Sequence, residues 1–155
     1  MVARIVLAVA GLFLLLAAFA VYVRLAPVNP ARWHLDLQTR RPPDLLFTLL
    51  PPGSDPVRPL SGGAYLDVFT SPEAAKTMIT RLDAVALASP RTRRIAGSPE
   101  DGHVTWETRS ALWGFPDYTT AQVTAAGLSV YARLRFGRQD LGVNAARLRD
   151  WLSRL

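Results

Sequence analysis

Three rhythms of apolar residues divide the chain. From Ile5 to Val23 the run IVLAVAGLFLLLAAFAVYV is unbroken by charge, and Arg4 and Arg24 close its ends. About 19 helical residues at 1.5 Å each come close to a hydrocarbon core of roughly 30 Å, which predicts a transmembrane helix within residues 1–24. Ala18-Phe19-Ala20 also fits a cleavage site, so a removed leader is the alternative; leader cores are shorter, about 7–15 residues.

The second rhythm is helical. Ser71-Pro72-Glu73 supplies an N-cap, a proline at the first helical position and an acid at the positive end of the helix dipole. Ala75, Met78, Ile79, Leu82, Val85 and Ala86 follow at three-four spacing on one buried face, and Ser89-Pro90 ends the helix. A second amphipathic helix closes the chain, with Asn144 as its expected N-cap, Gly142 in the preceding turn and Leu148, Trp151, Leu152 and Leu155 as its stripe.

Between these helices apolar and polar residues alternate. In HVTWETR Val104, Trp106 and Thr108 face one way, and His103, Thr105, Glu107 and Arg109 the other. YTTAQVTA from Tyr118 and LSVYARLRF from Leu128 sort in the same manner, AYLDVF at 64–69 reads as a further strand, and RTRRIA before Ser98 as another. Strands with one apolar and one polar face belong to an antiparallel sheet covered on one side. The expected fold is α+β, an antiparallel sheet of about five strands backed by two helices. Its order, strand-helix-four strands-helix, matches the TATA-binding-protein-like, helix-grip class, preceded here by one transmembrane helix.

The stretch 25–63 follows none of these rhythms. Eight of the twelve prolines fall between Arg24 and Gly63, which blocks helix and central strand and predicts a linker or strap. Trp33 and the run LLFTLL at 45–50 are too apolar for a solvated spacer, so LLFTLL is expected to dock on the domain or the bilayer. The α+β domain then occupies 64–155.

Composition narrows the function. The net charge of +6 comes from arginine, since Lys76 is the only lysine, and an excess of this kind beside a bilayer suits anionic headgroups. Nucleic acid is not an expected partner, because no nucleic-acid-binding motif is present and the anchor opposes it. The chain has no cysteine, so disulfides and thiolate nucleophiles are excluded. None of the eight serines stands in a G-x-S-x-G elbow, no HExxH or paired-ligand spacing accompanies His34 or His103, and neither a catalytic set, a metal site nor a cofactor is expected. His103, after Glu100-Asp101-Gly102, reads as part of a solvated loop.

Two groupings are candidate sites. Taking Ala126-Gly127 as a two-residue hairpin turn places Thr120 opposite Arg133 and Tyr118 opposite Arg135, with Glu107 and Arg109 on the same rows. Glu107 and Arg133 are then two strands, about 9.6 Å, apart. Glu107, Arg109, Tyr131, Arg133 and Arg135 would form a shallow ligand-binding face for an anionic group, or a solvated face carrying weak ion pairs. The second grouping is the turn RSALWGFPDYTT at 109–120, where Leu112, Trp113 and Phe115 surround Gly114. These side chains either plug the core beneath a helix or form an exposed tip that touches membrane or partner.

The pair of segments TRSALWGFPDYTT and RLRFGRQDLGVNAARLRDWL resembles the domain-of-unknown-function 1499 family, whose GF-D turn and SR-G-D-GVN segment precede a closing helix. The resemblance covers residues 65–155 and implies an exported or membrane-attached bacterial chain, without implying an activity. The Cys-containing stretch of many members is lacking here.

The resulting expectation is a single-pass inner-membrane protein with a periplasmic domain. It contacts the bilayer through 5–23 and acts as a binding or scaffolding module for an anionic lipid, an envelope polymer or a membrane protein. The alternative is an envelope enzyme using Glu107 as acid or base beside an arginine cluster. Charge does not decide the side, since Arg24, Arg32, Arg40 and Arg41 follow the span and only Arg4 precedes it.

Overall fold

In the computed structural model, residues 1–42 and 54–155 are described; the expected LLFTLL anchor point at 45–50 lies outside them. Helix α1 (Val2–Leu25) carries the apolar run. It is the one helix among the described residues long and apolar enough to cross a membrane, with a mean hydropathy of 2.7 in its most apolar window. A single turn, α2 (Pro30–Trp33), follows.

The remainder is α+β. Strands β1 (Arg58–Leu60), β2 (Gly63–Phe69), β3 (Thr92–Ser98), β4 (His103–Arg109), β5 (Pro116–Thr124) and β6 (Gly127–Leu134) form one open sheet. The order is β1-β2-β6-β5-β4-β3, and every neighbouring pair is antiparallel. Helices α3 (Pro72–Ala88) and α4 (Val143–Ser153) lie on one face. The sheet has six strands where the pattern predicted about five. The extra strand is β1, inside the proline-rich stretch, where Pro59 is tolerated because β1 is an edge strand.

The core forms where the apolar sheet face meets the two helix stripes. Leu66, Val104, Trp106, Ala121, Leu128 and Val130 pack against Ala75, Ile79, Leu82 and Ala86 of α3 and Leu148 and Trp151 of α4. Trp106 and Trp151 meet edge to face at 5.8 Å. One acid enters this core: Asp83 of α3 is 6% exposed and accepts from Trp106 Nε1 at 2.8 Å and from both Nε and Nη2 of Arg94. Ser71 caps α3 through its hydroxyl, which accepts from Ala74 N. At α4 the cap differs from expectation. Gly142 does take a positive φ of 81°, but Asp140 accepts from Gly142 N and Asn144 N, while Asn144 is buried inside the helix.

The β5–β6 register also differs. The turn is Ala125-Ala126, so that Thr124 pairs with Gly127, Thr120 with Tyr131 and Tyr118 with Arg133, a shift of two residues from the predicted pairing. Gly127 belongs to the strand because a Cβ there would sit 2.0 Å from the Val68 carbonyl oxygen of β2. Close strand approach, rather than turn geometry, demands this glycine. Glu107 and Arg133 still share a row, with Tyr118 between them.

Candidate functional site

The polar face of the sheet, predicted to be open, is covered by the chain's own strap. From the end of α1 the strap runs along β5, from Tyr118 to Gln122. The Trp33 ring stacks on Tyr118, with centroids 4.1 Å apart, and the Trp33 carbonyl accepts from Thr120 Oγ1 at 3.2 Å and from Arg133 Nη2. One residue on, His34 stacks on His103 and pairs with Thr105 Oγ1 at 2.9 Å, while His103 Nε2 meets the Leu35 carbonyl at 3.0 Å. Farther along, Leu37 N donates to Gln122 Oε1 at 2.6 Å and Gln122 Nε2 to Asp36 Oδ1 at 3.0 Å. His103 is therefore half-buried under the strap, a correction to its reading as part of a solvated loop.

This cover removes Arg133 and Arg135 from the place expected for them. Arg133 is 8% exposed, sandwiched between Trp33 at 5.3 Å and Tyr131 at 5.1 Å. Among the described residues its Nη1 has no hydrogen-bond partner. Burial lowers its pKa to about 10, because a guanidinium loses hydration there and gains aromatic faces in return. Arg135 donates from Nη1 to the Pro27 carbonyl and to Tyr118 Oη. Tyr131 lies 6.0 Å from Tyr65, ring to ring. Arg133 and Arg135 hold the strap to the sheet, and Tyr131 packs against Arg133 from the sheet side.

Glu107 and Arg109 belong to a different place, the cleft where α1 meets β3 and β4. Glu107 is 1% exposed. Its Oε2 accepts from Arg93 Nε at 2.6 Å and its Oε1 from Arg109 Nη2 at 2.8 Å. Arg109 Nη1 in turn donates to the carbonyls of Val23, Arg24 and Gly114 at 3.2, 3.3 and 3.2 Å. The last carbonyls of a helix have no partner within it and carry the negative end of its dipole, so a guanidinium held there both caps and stabilises α1. With both oxygens engaged in charge-assisted bonds, Glu107 fixes the position of two arginines.

Around this ion pair a cavity of about 450 Å³ is lined by Arg24, Arg91, Arg93, Glu107 and Arg109, with Ser110, Ala111 and Gly114 of the turn. Among the described residues four arginines and one carboxylate line it, and two of the arginines pair with that carboxylate. Arg91 occupies left-handed backbone space at φ 58°, unusual for a long side chain, and is held by its Nε donating to the Arg109 carbonyl at 3.0 Å. Arg24, Arg91 and Arg93 went unrecognised in the sequence. For Arg93 the alternation of RTRRIA was a usable signal; for Arg24 and Arg91, brought in by the helix end and by a turn, none existed.

The turn 110–115 does not plug the core beneath a domain helix. Leu112 is 74% and Trp113 38% exposed, which corrects the plug reading. At Gly114, φ 74°, a Cβ would meet the Arg24 side chain at 3.0 Å, Arg24 Nη2 donates to the Leu112 carbonyl at 2.9 Å, and Phe115 meets Phe19 of α1 at 6.0 Å and Phe136 at 5.9 Å. The turn is seated on the last turns of α1.

Among the described residues no group of three or more His, Cys, Asp or Glu side chains could hold a metal ion. The family model described as a protein of unknown function, DUF1499, matches residues 51–155. No curated protein and no solved structure matches the chain.

Proposed function

The chain belongs to the DUF1499 family, and from that premise we propose that it is a membrane-tethered binding module whose arginine cleft at the end of α1 takes an anionic group. The observation that carries this reading is the convergence of Arg24, Arg91, Arg93 and Arg109 on one cavity, with Glu107 the only carboxylate lining it among the described residues. Guanidinium groups are planar forks that bind phosphate and carboxylate oxygens in pairs. Their location where an apolar helix ends matches the depth of lipid headgroups. Glu107 serves as the positioning group of this site, and its two guanidinium partners weigh against a role as catalytic acid. The reading includes a periplasmic domain on the inner membrane, supported by the short basic start followed at once by an apolar run, and a helix-grip relationship, supported by the closing helix over an antiparallel sheet.

The test uses the full chain in neutral phosphatidylcholine nanodiscs, titrated with inorganic pyrophosphate while the arginine Nε–H resonances are followed. Saturable shifts that weaken at least tenfold in the Arg91→Gln/Arg93→Gln double variant, and weaken with added salt, support the reading. Absence of saturable binding, or binding indifferent to the double substitution, rejects it.

A further inference from the structure

We infer that the turn 110–115 is a second membrane contact, with Leu112 and Trp113 entering the leaflet in which α1 ends. The depth of α1 carries the inference. The uncharged run ends at Val23, and Phe19 lies five residues before Arg24, about 7 Å inside the charge boundary at 1.5 Å per residue. Phe115 packs on Phe19 at 6.0 Å, so the root of the turn sits at the depth of the acyl boundary. Trp113 is the next ring outward, 6.5 Å from Phe115, and tryptophan is the residue type enriched at that level.

The distribution of exposed apolar side chains agrees. Beyond residue 25, the large hydrophobic side chains exposed among the described residues are Phe69, Leu87, Leu112, Trp113, Leu141 and Val143. Leu112 and Trp113 are on the turn itself, and Val143 lines a second cavity together with Ser110 and Ala111. Leu141, two residues before Val143, is 90% exposed in left-handed backbone at φ 52°, a conformation costly for a bulky residue. An exposed aromatic tip and a strained, bare leucine suit a surface that is covered in use. The occupant is lipid, because the turn packs on α1 through Phe115 and Phe19 and the Leu112 carbonyl accepts from Arg24, the charge that closes the apolar run. The domain then rests on the bilayer through one end of its sheet, with the arginine cleft facing the headgroups. The inference rests on α1 as a membrane span and is independent of what the cleft binds.

The chain has no cysteine, so single cysteines can carry a fluorophore without background. In full-length protein in vesicles of three parts phosphatidylcholine to one part phosphatidylglycerol, labels are placed by Leu112→Cys, by Leu14→Cys within the span and by Phe69→Cys at the far end of β2. Acyl-chain nitroxide lipid is expected to quench the Leu112 label at least threefold more than the Phe69 label, with an aqueous quencher showing the reverse. Quenching at Leu14 but equal aqueous access at Leu112 and Phe69 overturns the contact and leaves the span intact. Failure of lipid quenching at Leu14 overturns the span and the contact with it. A Leu112 label shielded from both quenchers, and released when each nanodisc holds one copy, assigns the patch to self-association and rejects lipid as its occupant.

Discussion

The His34 ring lies on the His103 ring, with centroids 3.7 Å and planes 20° apart, and this stack is one of the contacts that hold the strap to β4. Both imidazoles have pKa values lowered below the ordinary 6.5, chiefly by burial; proximity to His103 lowers His34 further. Asp101, near both, and Asp36, near His103, oppose the shift. A lowered pKa means that the docked state binds fewer protons than the released one. Docking is therefore at full strength above about pH 6.5 and weakens as pH falls below it. Amide hydrogen exchange over residues 33–38, corrected for intrinsic rates, is expected to accelerate several-fold between pH 7.5 and pH 5. The His103→Gln variant flattens that dependence; an unchanged slope in the variant would show that the stack is not the source.

Trp113→Ala is expected to change folding stability by less than about 1 kcal/mol, since surface substitutions outside packed features are small. A core tryptophan would cost about 3–5 kcal/mol. Urea titration of the full chain in neutral detergent distinguishes the two, and a loss in the upper range would restore the turn to the core.

Asp83→Ala leaves the Trp106 indole N–H without its acceptor inside the core and releases Arg94. The loss is expected at about 2–3 kcal/mol, given one stranded buried donor and a partly exposed arginine. Asp83→Asn, which keeps an acceptor for Trp106, should recover part of it. Equal losses in the two variants would mean that the charge and not the indole bond matters.

Gly127→Ala forces a Cβ to within 2.0 Å of the Val68 carbonyl oxygen at a backbone φ of 133°. Backbone cannot yield as a flexible side chain can, so a loss of more than about 3 kcal/mol is expected, in the range kept for strain at special positions. Alanine at residue 137, where a Cβ meets nothing within 4 Å, should cost less despite its positive φ. Comparable melting points for the two variants would contradict the strand-approach explanation.

A periplasm-active reporter fused after Leu155 is expected to be active, and a cytoplasm-active one silent. The reverse pattern would move the domain to the other side of the membrane without altering its fold.

The legible part of this protein was the part written in short-range periodicity. The apolar run of α1, the Ser71 cap and stripe of α3, the alternation in β3 to β6 and the stripe of α4 each depend on residues within a few positions of one another, and local sterics and burial determine them. Even the row shared by Glu107 and Arg133 was readable, because the sheet period is two. Which side chains reach solvent was decided elsewhere. Trp33 meets Arg133 across 100 residues, and Arg109 meets Val23 across 86. No periodicity encodes such pairs, so Arg133, expected on an open face, is buried under the strap, and the cleft assembles from a helix end, an edge strand and a turn. The slipped β5–β6 register has the same origin: Gly127 is needed by Val68 in a strand that precedes it by a helix and three strands. Local pattern sets what each segment becomes, whereas exposure and charge convergence are properties of chain segments brought together only when the sheet closes.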